Sequence, residues 1–420
     1  MSIPFKPADI LLPDFTKYNG TAWSCVACDQ YTSQPAYWET ADAIAAGSPS
    51  TLRLIIPEVY LAETETRKPF VLASMEDYLR DVLIEHPDSM ILVERTLGDG
   101  ETRWGLVGAV DLMTYDYRKG ADSLIRATEA TVAERIPART TIRRDASIEL
   151  PHVMMLIDDP QRTVIEPMLP LCRVRQPLYD FDLMLGGGHV CAYPLNKGEQ
   201  EHVLSALAKL ATPAAMKARY GDASQAPLLF AVGDGNHSLA TAKQIYEELK
   251  ASIGEDAAKQ HPARFALAEV VNLHDGGLFF EPIYRVVLNC QPRRLLEELS
   301  AHAARLNGST AAQTLVCVHG KQELTLTVPH PEQQLAVGTL QAFLNDYTSR
   351  HPEVTVDYVH GEKSLRALAA EENALGFLFD GMRKDELFRT VIYDGALPRK
   401  TFSMGAAADK RFYLECRKIR

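Results

Sequence analysis

The chain has 420 residues, of which 46% are hydrophobic and 24% charged. That is an ordinary globular balance, which excludes disorder as its general state and allows two or three domains. The formal net charge of −11 opposes non-specific attraction to nucleic-acid phosphates or anionic membrane surfaces, so neither is expected as a partner.

No positive end followed by an apolar run opens the sequence, and no stretch of it is apolar for long enough to span a bilayer. A cytoplasmic protein is therefore the expectation. The seven cysteines are scattered and odd in number, which points to reduced thiols. Cys25 and Cys28 form a CxxC, but no second pair follows at zinc-ribbon spacing, and a structural role is expected for them.

From the N-terminus, Pro4–Pro13 reads as an extended arm. Trp23–Cys28 reads as a short strand delivering the polar run from Asp29 and Gln30 to Gln34 into a loop, a position suited to ligands. A helix is expected over Pro35–Ala46, stopped by Gly47 to Ser50, and another over Pro69–Glu85. Met90–Thr96 and Arg103–Leu112 read as a hairpin turning at Gly98-Asp99-Gly100.

A basic stretch follows, in which Arg126, Arg135, Arg139, Arg143 and Arg144 are spaced so that several fit one helix face. They offer guanidinium forks for phosphate or carboxylate, or a solvated face balanced by acidic neighbours. Val153–Ile157 is a buried-type strand, Gly186 to His189 a turn, and Lys197–Leu210 a helix. Leu228–Val232 is a continuous apolar run of buried-strand type that leads directly into Gly233-Asp234-Gly235-Asn236-His237-Ser238 and a helix over Ser238–Ala251.

Ala263–Asn272 fits a helix or a strand. Beyond residue 290 the pattern shows helices over Pro292–Arg305 and Glu332–Ser349, with a small hairpin of Leu315–Cys317 and Leu324–Val328. The alternation predicts an α/β fold: a mixed-sheet catalytic body over 1–290, a smaller α+β region over 291–395, and a segment over 396–420 returning to the main domain.

The strongest chemical signal is the turn at 233–238. Gly233 and Gly235 permit a sharp bend between strand and helix, and amides at a helix start bind anions. Asp234 can hold a metal or accept a proton, and His237 can act as acid, base or phosphate donor. Asn236 and Ser238 can donate hydrogen bonds to oxygens. The bland alternative makes Asp234 or Ser238 a helix cap and His237 a packing residue. The spacing is neither GxxxxGK[ST] nor GxGxxG. Arg285 and Lys400 are further cations of undecided role.

The runs WSCVACDQYTSQPAYW (23–38), IRATEAT (125–131), GDGNHSLATA (233–242) and LPRKTFSMG (397–405) resemble the bacterial and archaeal domain of unknown function 1015 family over nearly the whole chain. Many members carry Asp-Gly-His-His-Arg at the central motif, a pattern similar to that of ParB-fold free-serine kinases. Asp234, Gly235 and His237 keep it, whereas Asn236 stands for the first histidine and Ser238 for the arginine. In the ParB-like proteins that arginine binds phosphate, so Arg126, Arg285 or Lys400 would have to substitute.

The resemblance implies a ParB/serine-kinase-like body and a metal-assisted phosphotransferase using Mg2+ and ATP or ADP on a small polar or anionic metabolite, with free serine first. Asp234 or Glu129 would accept the hydroxyl proton, and His237 would position the transferring group. Gly233, Gly235, Asn236 and Ser238 would hold phosphate, Arg126 and Lys400 would neutralise charge, and Asp29 with Gln30 would recognise the substrate. Two other readings stay open: a nucleotide-independent hydrolase or lyase using Asp234 and His237, and a non-catalytic sensor of an anionic metabolite. A homo-oligomer is compatible with all three.

Overall fold

The computed structural model describes residues 3–129, 141–221 and 226–420. Arg135 and Arg139 lie outside the described residues. The chain divides into two units: the first comprises 1–127, 131–278 and 406–420, the second 128–130 and 279–405.

Strands of the first unit are β1 (Phe5–Lys6), β2 (Ala8–Pro13), β3 (Leu83–Ser89), β4 (Ile91–Thr96), β5 (Thr102–Asp111), β6 (Tyr115–Asp116), β7 (Ile125–Ala127), β8 (Ile148–Glu149), β9 (Met154–Ile157), β10 (Tyr179–Asp182), β11 (His189–Pro194), β12 (Phe230–Asp234) and β13 (Phe265–Asn272). Among the described residues ten of them form one sheet in the order β10-β11-β4-β5-β13-β9-β12-β7-β6, with β1 alongside β5. Its pairing is mixed. β13 runs parallel to β9, β9 antiparallel to β12, and β12 parallel to β7.

Alternation along the strands explains why this sheet is buried on both faces. Leu92 and Leu106 pack into one apolar cluster with Phe230, Val232, Val203 and Leu239, while Ile91, Val93 and Val107 pack into another with Trp38, Val190 and Phe412. Helices Lys197–Leu210 and Asn236–Ile253 supply the first cluster's cover. The runs of unbroken apolar residues in β9 and β12 are the sequence mark of such two-sided burial.

Several expectations need correction. Trp23 ends a helical turn, Gly20–Trp23, because Asn19 Oδ1 accepts from Thr21 N at 2.9 Å and caps it. Residues 25–27 then pair with the chain's last segment, through Ala27 N to Arg411 O and Tyr413 N to Cys25 O. The helix expected from Pro69 begins at Thr64 and ends at Asp81, since Leu83–Ser89 is drawn into pairing with Ala8–Pro13. Arg126 lies in a strand, because Ile125–Ala127 pairs with β12. Residues 265–272 resolve as a strand between β5 and β9.

The second unit has β14 (Phe280–Leu288), β15 (Gln313–His319), β16 (Gln322–Val328), β17 (Thr355–His360), β18 (Leu375–Leu378) and β19 (Phe402–Met404). They are ordered β16-β15-β18-β14-β17, with β19 on β14. β14 belongs here because its partners β17, β18 and β19 all come later in the chain. The protein is thus a mixed α/β fold. Among the described residues no helix is long and apolar enough to cross a membrane.

Candidate functional site

The site grows from the end of β12. Phe230, Ala231 and Val232 are fully buried, and the pairing with β9 slips between Val232 and Asp234. A Cβ on Gly233 would come within 2.8 Å of the Leu156 side chain, so glycine is needed where the strands close up. Gly235 then takes φ +79°, the left-handed region that side chains avoid, and occupies the cap position of helix Asn236–Ile253. The cap residue, being glycine, has no side chain of its own to offer that helix start. Asp234 accepts from Gly235 N through Oδ1 at 2.9 Å and places Oδ2 3.5 Å from Lys410 Nζ.

Antiparallel pairing of β12 with β9 brings the residue just ahead of β9 to the same end of the sheet. That residue region holds His152, only 3% exposed. Its Nε2 lies 3.4 Å from Ser238 Oγ and 3.5 Å from Asp29 Oδ2, and its Nδ1 lies 2.9 Å from the Tyr413 hydroxyl. The Tyr413 hydroxyl is also 3.1 Å from Cys28 Sγ. Burial, with Cys28 and Asp29 adding to it, pushes Tyr413 well above the usual phenol range, so its hydroxyl keeps its proton. Burial likewise pushes the Cys25 thiol up to about 12, which makes it inert and fits a structural role for the CxxC.

A serine-nucleophile triad has the acid on the histidine nitrogen remote from the serine. Here Asp29 and Ser238 share Nε2 and tyrosine holds Nδ1, so the group is a polar relay of a different order.

Lys410 and Tyr413 are delivered by a strongly anchored segment. Arg95 donates to Gly187 O at 2.5 Å, to Ala408 O at 3.1 Å and to Lys410 O at 3.4 Å. Arg411 pairs with Glu269 at 2.8 Å and with Glu415 at 2.5 Å inside the unit. Burial, then the charge of Arg103, draws the Arg95 guanidinium down to about 9.

Of the residues expected from sequence, Gly233 to Ser238 lie together at the turn, and Asp29 joins them through His152. Gln30 donates to Asp29 Oδ1 at 3.0 Å. The phosphate forks expected of Arg126 and Arg285 are corrected by their surroundings. Arg126 is buried and donates to the backbone carbonyls of Ser123 at 2.9 Å and Ala226 at 2.8 Å. Arg285, 0% exposed, donates to Gln341 Oε1 at 2.8 Å, Ile283 O at 2.6 Å, Arg399 O at 2.9 Å and Lys400 O at 3.1 Å.

Both arginines hold backbone in place. Lys400 is exposed, with its ammonium 5.0 Å from the Tyr358 ring centre, and Glu129 bridges to Leu397; both residues belong to the second unit. Among the described residues no group of three or more His, Cys, Asp and Glu converges as a metal cage. Lys410, His152 and Tyr413 were not singled out from sequence, and Cys28 was noted there only as half of a structural CxxC. The only local signal for His152 was a polar residue standing directly before the apolar run 153–157.

The family model described as "Protein of unknown function (DUF1015)" matches residues 11–348. None of the curated proteins matches. Similar solved structures include a conserved hypothetical protein from Pyrococcus furiosus, at 10% identity and TM-score 0.34 over 73% of this chain and 93% of that one. A free serine kinase in complex with AMP is similar at 10% identity and TM-score 0.37, over 74% and 91%. SbnI with C-terminal truncation from Staphylococcus aureus is similar at 10% identity and TM-score 0.34, over 73% and 82%.

Proposed function

The chain belongs to the DUF1015 family, and from that membership and the geometry of the 233–238 turn we propose a phosphotransferase acting on a small polar metabolite, with ATP or ADP as donor and free serine as the first substrate to test. One observation carries this reading. The Asp234 carboxylate is held between the Gly235 amide and the Lys410 ammonium, at the foot of a helix whose cap is a glycine without a side chain. A helix start of that kind directs backbone N–H groups and the positive end of its dipole outward, which suits phosphate.

Lys410 takes the part that the sequence resemblance left to Arg126, Arg285 or Lys400: a cation beside the phosphate-binding turn. Asn236 and Ser238 hydrogen-bond phosphate oxygens, and His237 orients the group being transferred. Asp234 accepts the substrate hydroxyl proton, and Asp29 with Gln30 binds the substrate's polar head. Mg2+ uses one or two carboxylates together with phosphate oxygens, and Asp234 is the carboxylate at the turn that fits this mode; the ion would neutralise phosphate charge. The test is nucleotide-dependent phosphorylation of serine with magnesium, alongside calorimetric titration of ATP and ADP. Absence of nucleotide binding to the wild type at millimolar concentration would overturn the proposal.

A second reading rests on the contact between Ser238 and His152. In it the chain is a nucleotide-independent hydrolase or lyase in which His152 joins Asp234 and His237 in handling protons. Turnover in nucleotide-free buffer that is lost in His152→Ala would favour it.

A further inference from the structure

Beside the turn, the first unit holds a partly open cavity of about 150 Å3. Among the described residues its walls are chiefly aliphatic, with Leu54, Ile56, Met75, Ile148 and Leu239 all buried, and Asp234 and His237 are not part of them. One end differs: Cys28, His152, Ser238 and Tyr413 line it. Arg143 and Glu149, also on the wall, are paired with each other at 2.5 Å.

We propose that this cavity binds a small organic molecule whose apolar body is about the size of a benzene ring and carries one hydrogen-bonding group, such as a hydroxyl, at the end facing His152 and Ser238. The size follows from volume, since about 150 Å3 between aliphatic side chains accommodates a benzene ring. Aliphatic walls offer a water molecule too few partners, so an apolar guest gains what water cannot. The head group follows from the opposite end. The Ser238 hydroxyl both donates and accepts, and His152 presents Nε2 there while Tyr413 holds its other nitrogen. A ligand pocket with apolar walls and a few convergent polar groups has this composition. The inference does not rest on phosphoryl transfer, because the cavity offers no cluster of cations for a phosphate.

Calorimetric titration of the full chain with phenol and with toluene tests it, with ATP titrated in parallel so that failure of the phosphotransferase reading shows separately. Phenol is expected to bind saturably at one site, and toluene several-fold more weakly, because it brings no hydroxyl to bond with the Ser238 and His152 end. Ala242→Leu fills the cavity from the helix and is expected to weaken phenol by about tenfold or more. Should that variant fail to fold, Leu54→Ala enlarges the cavity instead and is expected to shift preference from phenol toward indole. No saturable binding of phenol up to its solubility limit, or phenol binding unmoved in the folded variants, overturns the proposal.

Discussion

Ser238 Oγ lies 3.4 Å from His152 Nε2, although 86 positions separate the two in sequence. The contact exists because β9 and β12 run in opposite directions, so the start of one meets the end of the other. A histidine held this way, with Tyr413 behind it and Asp29 beside it, is placed to move a proton at the Ser238 end of the turn. His152→Ala is expected to lower kcat/KM by about a hundredfold or more, the usual size of a positioned acid–base group. Steady-state turnover in nucleotide-free buffer measures it, and unchanged turnover would remove His152 from the hydrolase or lyase reading.

Asp234 and Lys410 separate into different kinetic effects. Asp234→Asn keeps the hydrogen bond from Gly235 but cannot take a proton, so kcat falls by about 100-fold or more with little change in the affinity for magnesium-free nucleotide. Lys410→Ala removes the cation beside the turn, so the apparent affinity for nucleotide weakens by about tenfold and its salt dependence becomes shallower. Titration at two ionic strengths distinguishes the two variants.

Gly235→Ala tests the turn as a stability element. At φ +79° a Cβ costs about 1–2 kcal/mol, and it would meet Val153 at 3.0 Å. A lower urea midpoint with an unchanged m-value is the expected outcome. A midpoint equal to that of the wild type would mean the backbone relaxes out of the left-handed conformation.

Arg411→Met leaves Glu269 and Glu415 inside the unit without the guanidinium that bridges them. Removing one partner of a buried ionic group costs about 3–5 kcal/mol. Adding Glu269→Leu and Glu415→Leu to that variant should recover part of the loss, which a thermal melt of the triple variant would register.

Acid stability reports on Glu149. Burial by itself would raise its carboxyl, but the charges of Arg417 and Arg143 outweigh it and hold the group below its ordinary 4.5. A carboxyl depressed in the folded state stabilises fully above the unfolded value of about 4.5, and this contribution fades as pH falls through the lower folded value. Glu149→Gln is therefore less stable at neutral pH and loses less of its Tm on acidification than the wild type. Parallel acid limbs in the two proteins would contradict this.

Much of the fold was legible because it follows from short-range patterns. The run 228–232, the hairpin at Gly98 to Gly100 and the helix 197–210 are set by apolar periodicity and turn chemistry, and Gly233 and Gly235 announce a bend. Capping by Asn19 draws Trp23, expected to open a strand over 23–28, into a helical turn over 20–23. Half of the site was not legible because it depends on register between distant segments. His152 looks like any polar residue ahead of a strand until β9 is known to oppose β12, and Lys410 and Tyr413 look like tail residues until 411–413 pair with 25–27. Arg126 and Arg285 misled for the converse reason: a guanidinium reads as a ligand fork in sequence, whereas both are spent on carbonyls of their own surroundings.

Residues 406–420 complete a unit begun at the other end of the chain, after the whole of 279–405 has intervened. On the ribosome, β12 and Asp234 emerge long before the lysine and tyrosine that accompany them. Nascent chains interrupted within the second unit therefore carry the bend without its cation or its phenol, and activity is expected to switch on only after synthesis has passed residue 413.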